Sequence, residues 1–219
     1  MVQEVDLKKG VFQKHLNRAE KAIRDGYIIV IPLENSYAYA CDAFREESVR
    51  AMHVLRRDEL GVMAQVLAAN IKTVEGIVRD ITPDISALMK KFWPGMLSMN
   101  LRPQLGLTWN LGDNGDLDLV CVRVPRAKFA KALLAKTGPL AIASATFTGQ
   151  PPVRAIKEIQ ATDSDIAVKF SAGTLRKGDR TSLIEVESAG LRVIRVGSIS
   201  VDDVRDVVPD VMRTAFGSL

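Results

Sequence analysis

Four short runs mix hydroxyls, glycine, proline and charge, and they are where the chemistry of this chain could sit: Pro32-Leu33-Glu34-Asn35-Ser36-Tyr37, Trp93-Pro94-Gly95, Ser144-Ala145-Thr146-Phe147-Thr148-Gly149 and Thr181-Ser182. Each adjoins an apolar segment that reads as a strand. Backbone donors and short hydroxyls at strand ends are not taken up by the sheet ladder, so these junctions suit a polar or anionic ligand. Taken singly, each also reads as a plain turn. No GxGxxG, P-loop, HExxH or GxSxG pattern is present, which leaves dinucleotide, Walker-type, zinc-protease and serine-hydrolase chemistry without a starting set of residues. His15 and His53 are the only histidines. Both fall on predicted helices and are expected at surface or boundary positions, because an isolated imidazole needs a partner to be poised as a base.

The elements that must carry these junctions follow from periodicity. Phe12, Leu16, Ala19 and Ile23 recur at helical spacing, with Gly26 where a C-terminal glycine is expected, so a first helix leads into the run Tyr27 to Ile31. That run is β-branched and continuous, which predicts a strand buried on both faces and stopped at Pro32. Helices are expected over 46–56, 83–92 and 125–136, with short ones over 153–160 and 201–208. Strands are expected over 62–69, 96–101, 117–124 and 139–145. A final strand pair, 181–186 and 191–196, turns at Ser188-Ala189-Gly190. The acidic stretch Leu111 to Asp116 reads as a solvated connection. Strands and helices alternate irregularly, which predicts one mixed parallel and antiparallel sheet flanked by helices.

The totals agree with a single domain spanning 1–219, its motif-bearing core about 12–200 and a short tail beyond. At 219 residues, 47% hydrophobic and 26% charged, the chain can bury one good core and has no disordered or fibrous bias. Its longest apolar stretch is far below the roughly 18 residues of a membrane span. The charged first ten residues do not resemble a signal peptide, so a cytosolic protein without membrane contact is expected. Cys41 and Cys121 lie outside any CxxC or Cys/His cluster, which predicts two buried free thiols and no metal site. A net charge of +4 and a pI near 9.1 permit contact with phosphates or RNA without requiring it.

The order of the junctions is what resembles a known family, the YrdC/YciO family of threonylcarbamoyl-adenylate synthases. The family pattern P-T-E/D-T-x-Y-G-L resembles Pro32 to Tyr39, with Cys41 and Asp42 following. W-P-G-P-L-T is similar to Trp93 to Ser98, and V-R-V-P to Val122 to Pro125. S-A-N-x-S-G-x-P is similar to Ser144 to Pro151, S-T-V-V-D to Thr181 to Glu185, and I-x-R-x-G-x-I to Val193 to Ile199. The resemblance runs from about the first helix to Ile199.

What the resemblance implies is a YrdC/RibB-like fold with a concave basic cavity. There ATP, L-threonine and bicarbonate, with Mg²⁺, would give threonylcarbamoyl-AMP and pyrophosphate for tRNA modification. It points to Arg57, Arg123 and Arg195 as phosphate contacts, since the guanidinium fork matches phosphate oxygens and keeps its charge; strand-end ion pairs are the alternative role for Arg123 and Arg195. Glu34, Asn35, Tyr37, Ser144, Thr146, Thr148, Thr181 and Ser182 fall on the substrate or nucleotide positions. Several positions depart from the pattern. The K-x-R signature falls on Leu55-Arg56-Arg57, with Asp58 in place of the following proline. Leucine has no ammonium to offer, so Arg56 could replace it only from another direction. Both threonines of P-T-E-T are Leu33 and Asn35, and the asparagine of S-A-N is Thr146. Such changes remove hydrogen bonds of about 1 kcal/mol each, and they resemble the divergent YciO-like branch. Two functions are expected to compete: an adenylate-forming synthase with weakened or changed activity, and a paralogue that holds RNA or a nucleotide without chemistry.

Overall fold

The computed structural model describes residues 2–113, 118–160 and 166–213. In chain order its elements begin with β1 (Gln3–Asp6), α1 (Phe12–Arg24), β2 (Ile28–Pro32), β3 (Tyr37–Asp42), α2 (Glu46–Arg56) and β4 (Gln65–Leu67). They continue with α3 (Ile71–Glu75), α4 (Pro83–Phe92), β5 (Leu97–Leu101), β6 (Val120–Arg123), α5 (Lys128–Thr137) and β7 (Leu140–Ser144). A 3₁₀ turn at Ile156–Glu158 precedes β8 (Ile166–Ser171), β9 (Ser182–Glu187), β10 (Gly190–Arg195), α6 (Val201–Arg205) and β11 (Met212–Arg213).

All the strands join one sheet in the order β1-β8-β2-β3-β7-β4-β6-β5-β9-β10-β11. Parallel and antiparallel neighbours mix: β8 is parallel to both β1 and β2, β3 is antiparallel to β2 and β7, and β4 is parallel to β6. Alternation along the strands splits the core in two. Ile28 and Val30 point to one cluster with Val66, Val122 and Ile184, which α4 covers through Ile85, Leu88 and Met89. Ile29 and Ile31 point the other way, where α1 and α5 supply Leu16, Ala19, Ile23, Phe129 and Leu133. Those two helices pack chiefly on β2, β3 and β8, and their cluster extends to Leu67 on β4 and to Leu140 and Ile142 on β7. Beyond that cluster the face, from Gln65 on β4 across to Arg195 on β10, carries mostly polar side chains and borders the cavity.

Helices 46–56 and 83–92 fall where periodicity puts them; the second has Pro83 in its first turn and the Thr82 hydroxyl accepting from the Ile85 N–H at 3.3 Å. Other elements differ from expectation for local reasons. Pro32 ends β2 from inside it, and Tyr27 is 51% exposed ahead of it. The helix expected from Pro125 starts at Lys128, because Glu34 accepts from the backbone N–H groups of Arg126 and Ala127 and holds them in a turn. The segment 153–160 contributes only the 3₁₀ turn, and α6 stops at Arg205. The strand expected over 62–69 shortens to β4, and that expected over 117–124 to β6, Leu117 lying outside the described residues. Part of the acidic connection, residues 114–116, lies outside them as well. Among the described residues no helix is long and apolar enough to cross a membrane.

Candidate active site

The open half of the sheet floors a cavity of about 850 Å³. Its floor crosses the strands in order: Ala38 on β3, Ser144 and Ile142 on β7, Gln65 on β4, Cys121 on β6, Leu183 on β9 and Arg195 on β10. Among the described residues its lining holds five arginines (Arg56, Arg123, Arg154, Arg180 and Arg195) and Lys177, against a single carboxylate, Asp58. The cavity is therefore built for anions.

A chain of polar side chains spans the floor. Gln65 Nε2 donates to Ser98 Oγ at 2.7 Å and to Cys121 Sγ at 3.3 Å. Ser98 Oγ donates to Thr181 Oγ1 at 3.0 Å, which also accepts from Arg195 Nη2 at 2.9 Å. Arg195 reaches this face because of a β-bulge. Val193 faces Ile184, but the register then slips so that Arg195 pairs with Leu183. In an unbroken ladder Arg195 would share the face of Val193 and point into the apolar core; the extra residue re-aims it. Partial burial, with Arg180 beside it, holds the Arg195 guanidinium below its ordinary pKa, partly offset by Cys121.

Arg123 is only 4% exposed. Its Nη2 pairs with Glu34, its Nη1 approaches Met96 Sδ at 3.8 Å, and its Nε has no partner among the described residues. Glu34 thus serves three donors of the protein: Arg123 and the two N–H groups ahead of α5. The Nε of Arg123 is enclosed by protein, so what Arg123 brings to the cavity wall is a fixed guanidinium charge paired with Glu34.

Arg56 lines the cavity, yet its donors are engaged. Nε donates to Asp58 at 2.9 Å, Nη1 to the carbonyls of Ser144 at 2.5 Å and Thr146 at 3.1 Å, and Nη2 to Thr148 Oγ1 at 3.3 Å. Asp58, 1% exposed, also receives Thr148 Oγ1 and lies 2.8 Å from His53 Nδ1, whose Nε2 meets the Leu111 carbonyl at 2.9 Å. Arg57 goes elsewhere: it caps α2 in a left-handed conformation and its guanidinium stacks on Phe147, 4.2 Å from the ring centre, outside the cavity lining.

Other residues flagged from sequence separate in the same way. Asn35, Ser144, Thr146, Thr181 and Arg195 join Arg56 and Arg123 in the lining. Asn35 Nδ2 donates to the Asp179 carbonyl at 2.6 Å and so ties the strap before β9 to the rim. Tyr37 and Ser182 are wholly enclosed by protein. The Tyr37 hydroxyl donates to the Gly173 carbonyl at 2.7 Å and accepts from the Ala172 N–H at 2.9 Å. Ser182 Oγ donates to the Ile199 carbonyl at 2.6 Å and accepts from the N–H groups of Gly197 and Ile199 at 2.9 and 3.0 Å. Gly197 fits there because a side chain would meet the Arg180 carbonyl at 2.2 Å.

Several lining residues escaped the sequence reading. Gln65 and Cys121 are polar or polarisable breaks at alternate positions in otherwise apolar runs, and that was their available signal. Arg154, Lys177 and Arg180 sit in loops, where only the basic clustering around Lys177 could have marked them. Cys121 is not fully buried as expected: it is half-buried on the cavity floor, and both cysteines are free. Burial pushes the Cys121 thiol up to about 11 against the lowering effect of the Gln65 hydrogen bond, and burial raises Cys41 further. His53 is a boundary residue as expected, but a partnered one on the cavity wall.

Similarity to known proteins matches this geometry. The chain is 29% identical over 197 residues to a protein of Mycobacterium tuberculosis provisionally named a threonylcarbamoyl-AMP synthase, covering 90% of each. It is 28% identical over 180 residues to the threonylcarbamoyl-AMP synthase of Methylococcus capsulatus, covering 81% of this chain and 95% of that one. The P. abyssi Sua5 structure complexed with L-threonine superposes with a TM-score of 0.86 at 21% identity, over 98% of this chain and 62% of that one. The chain thus spans about three fifths of that protein's length. E. coli YciO superposes with a TM-score of 0.80 at 20% identity, over 93% of this chain and 98% of that one. A family model for the Sua5/YciO/YrdC domain, described as "Telomere recombination", matches residues 21–197. The chain belongs to the Sua5/YciO/YrdC family.

Proposed function

We propose that the cavity holds ATP with an N-carboxylated amino acid, and that the chain is an L-threonylcarbamoyladenylate synthase of weakened or changed activity serving tRNA modification in the cytosol. The reaction joins threonine and bicarbonate as a carbamate with loss of water; a carbamate oxygen attacks the α-phosphate of ATP, and pyrophosphate leaves. Two anions must be held together for that attack, in a site where fixed cations and donors replace water. The observation that carries the reading is the charge of the cavity, whose lining holds Arg180, Arg195 and Lys177 with no carboxylate partner among the described residues, beside the buried guanidinium of Arg123. A volume of about 850 Å³ falls within the usual range for small-molecule sites. Mg²⁺ would arrive with the nucleotide: among the described residues no cluster of three His, Cys, Asp or Glu could hold a metal, and such ions commonly bind through substrate phosphates.

A second reading, nucleotide or RNA binding without turnover, is favoured by Arg56, whose donors are directed at protein oxygens, and by Leu33 on the cavity wall. Incubation with ATP·Mg²⁺, L-threonine and bicarbonate separates the two. Formation of the adenylate ester and pyrophosphate supports the synthase. No turnover above a heat-killed control, across several amino acids, leaves the binding reading. That reading requires ATP to raise the melting temperature, because a ligand that binds only the folded state stabilises it. RNA binding would weaken steeply with salt.

A further inference from the structure

We infer that Arg56 and Asp58 form a latch that positions the cavity wall, and that Arg56 is not a phosphate ligand. Beyond Ser144, the last residue of β7, the wall residues Thr146 to Gln150 belong to a loop without regular structure. Something else must hold their backbone, and Arg56 does so from the end of α2: two of its N–H groups enter the Ser144 and Thr146 carbonyls, and the Arg56 carbonyl accepts from the Thr148 N–H at 2.9 Å. Asp58 completes the grip. Its carboxylate, 1% exposed, takes Arg56 Nε on one side and the Thr148 hydroxyl on the other, while His53 links it to the Leu111 carbonyl on a third segment. Guanidinium, carboxylate and loop oxygens are mutually satisfied, so a phosphate would have to break protein hydrogen bonds to recruit Arg56. The wall residue Phe147 also carries Arg57 across its ring, which adds a second hold on the same loop.

A latch and a phosphate ligand predict opposite signs. If Arg56 contacted phosphate, Asp58→Asn would tighten ATP binding by removing a negative charge and releasing the guanidinium, whereas Arg56→Gln would weaken it. The latch predicts that both substitutions weaken ATP binding, each by roughly 5- to 20-fold, and that the double variant is no worse than either single one because the pair acts as a unit. The double variant also leaves the net charge of the cavity unchanged. Titration calorimetry with ATP·Mg²⁺ on all four proteins reads this out, with circular dichroism melts to establish that each is folded.

The effect on ATP rests on the proposed nucleotide site; the effect on the loop does not. Amide hydrogen exchange of residues 145–150 in the ligand-free protein is the independent arm. The latch requires faster exchange there in either variant, with β7 and α2 still protected. Unchanged exchange across 145–150, or tighter ATP binding by Asp58→Asn, overturns it. A wild-type protein that fails to bind ATP while the exchange prediction holds overturns the nucleotide reading alone.

Discussion

Among the arginines of the cavity, burial decides what each contributes. Arg123 is locked in a pair with Glu34, whose side chain is 18% exposed, so Arg123→Gln leaves a carboxylate enclosed without its cation. Breaking a buried pair from one side typically costs about 3–5 kcal/mol. Arg195, at the β10 end of the floor, is the more exposed of the two, and its donors serve Thr181. Arg195→Gln is therefore expected to weaken anion binding while shifting the urea midpoint little, and Arg123→Gln to lower both. Equal stability loss in the two variants would contradict this division. Cys121 offers a second test at the same scale. With its thiol raised to about 11, it alkylates slowly at neutral pH and faster as pH climbs towards that value, since the thiolate is the reactive form. ATP should slow iodoacetamide at Cys121, and the buried Cys41 should stay unmodified; mass spectrometry of the labelled chain distinguishes them.

Elements place those residues, and here the sequence is informative unevenly. Helices α2 and α4 were legible to the residue because long periodic segments carry their own signal. Strands β1, β3, β8 and β11 and the short α3 were not anticipated. Ile166–Ser171 alternates buried Ile166, Val168 and Phe170 with less buried Ala167 and Lys169, a strand signal that is short and is completed by parallel pairing with β1 and β2. Tyr37–Asp42 reads as part of the first junction motif, yet it pairs on both edges as a central strand. The site was legible as a set of junctions, but which junction residues face the cavity depends on register. The bulge before Arg195 and the enclosure of Ser182 both lie at that level. Ser182 is a junction residue whose work is to tie β9 to the loop entering α6. Ser182→Ala strands two N–H groups and one carbonyl, so a loss of about 3 kcal/mol is expected. For a chain of this size that lowers the melting temperature by about 6–12 °C. Differential scanning calorimetry measures it, and a shift below 2 °C would show that water replaces the hydroxyl.

Charge links the cavity to the stability of the whole molecule. The chain carries +4 at neutral pH, and Lys177, Arg180 and Arg195, without a carboxylate partner among the described residues, gather around one concavity. Several carboxylates elsewhere titrate below their ordinary values near 4.5 and 3.8. Glu20 is lowered by its hydrogen bond from Lys136, Glu187 by Arg192, Glu158 by the Arg154 N–H and Asp203 by Ser200. A carboxyl depressed in the folded state stabilises it above the unfolded pKa, and that contribution is lost as pH falls through the folded value. The urea midpoint should accordingly hold steady from pH 7 to about 5.5 and decline below about 4.5, where the unfolded chain binds protons first. Repulsion among the cavity cations, no longer balanced by distant carboxylates, adds to the decline. Pyrophosphate should then recover more of the midpoint than sodium chloride of equal ionic strength, because a polyvalent anion seated in the cavity neutralises cations that screening salt only shields. Equal recovery by the two salts would mean that the cavity does not gather anions, and a midpoint unchanged down to pH 3 would mean that these carboxylates do not contribute as their partners indicate.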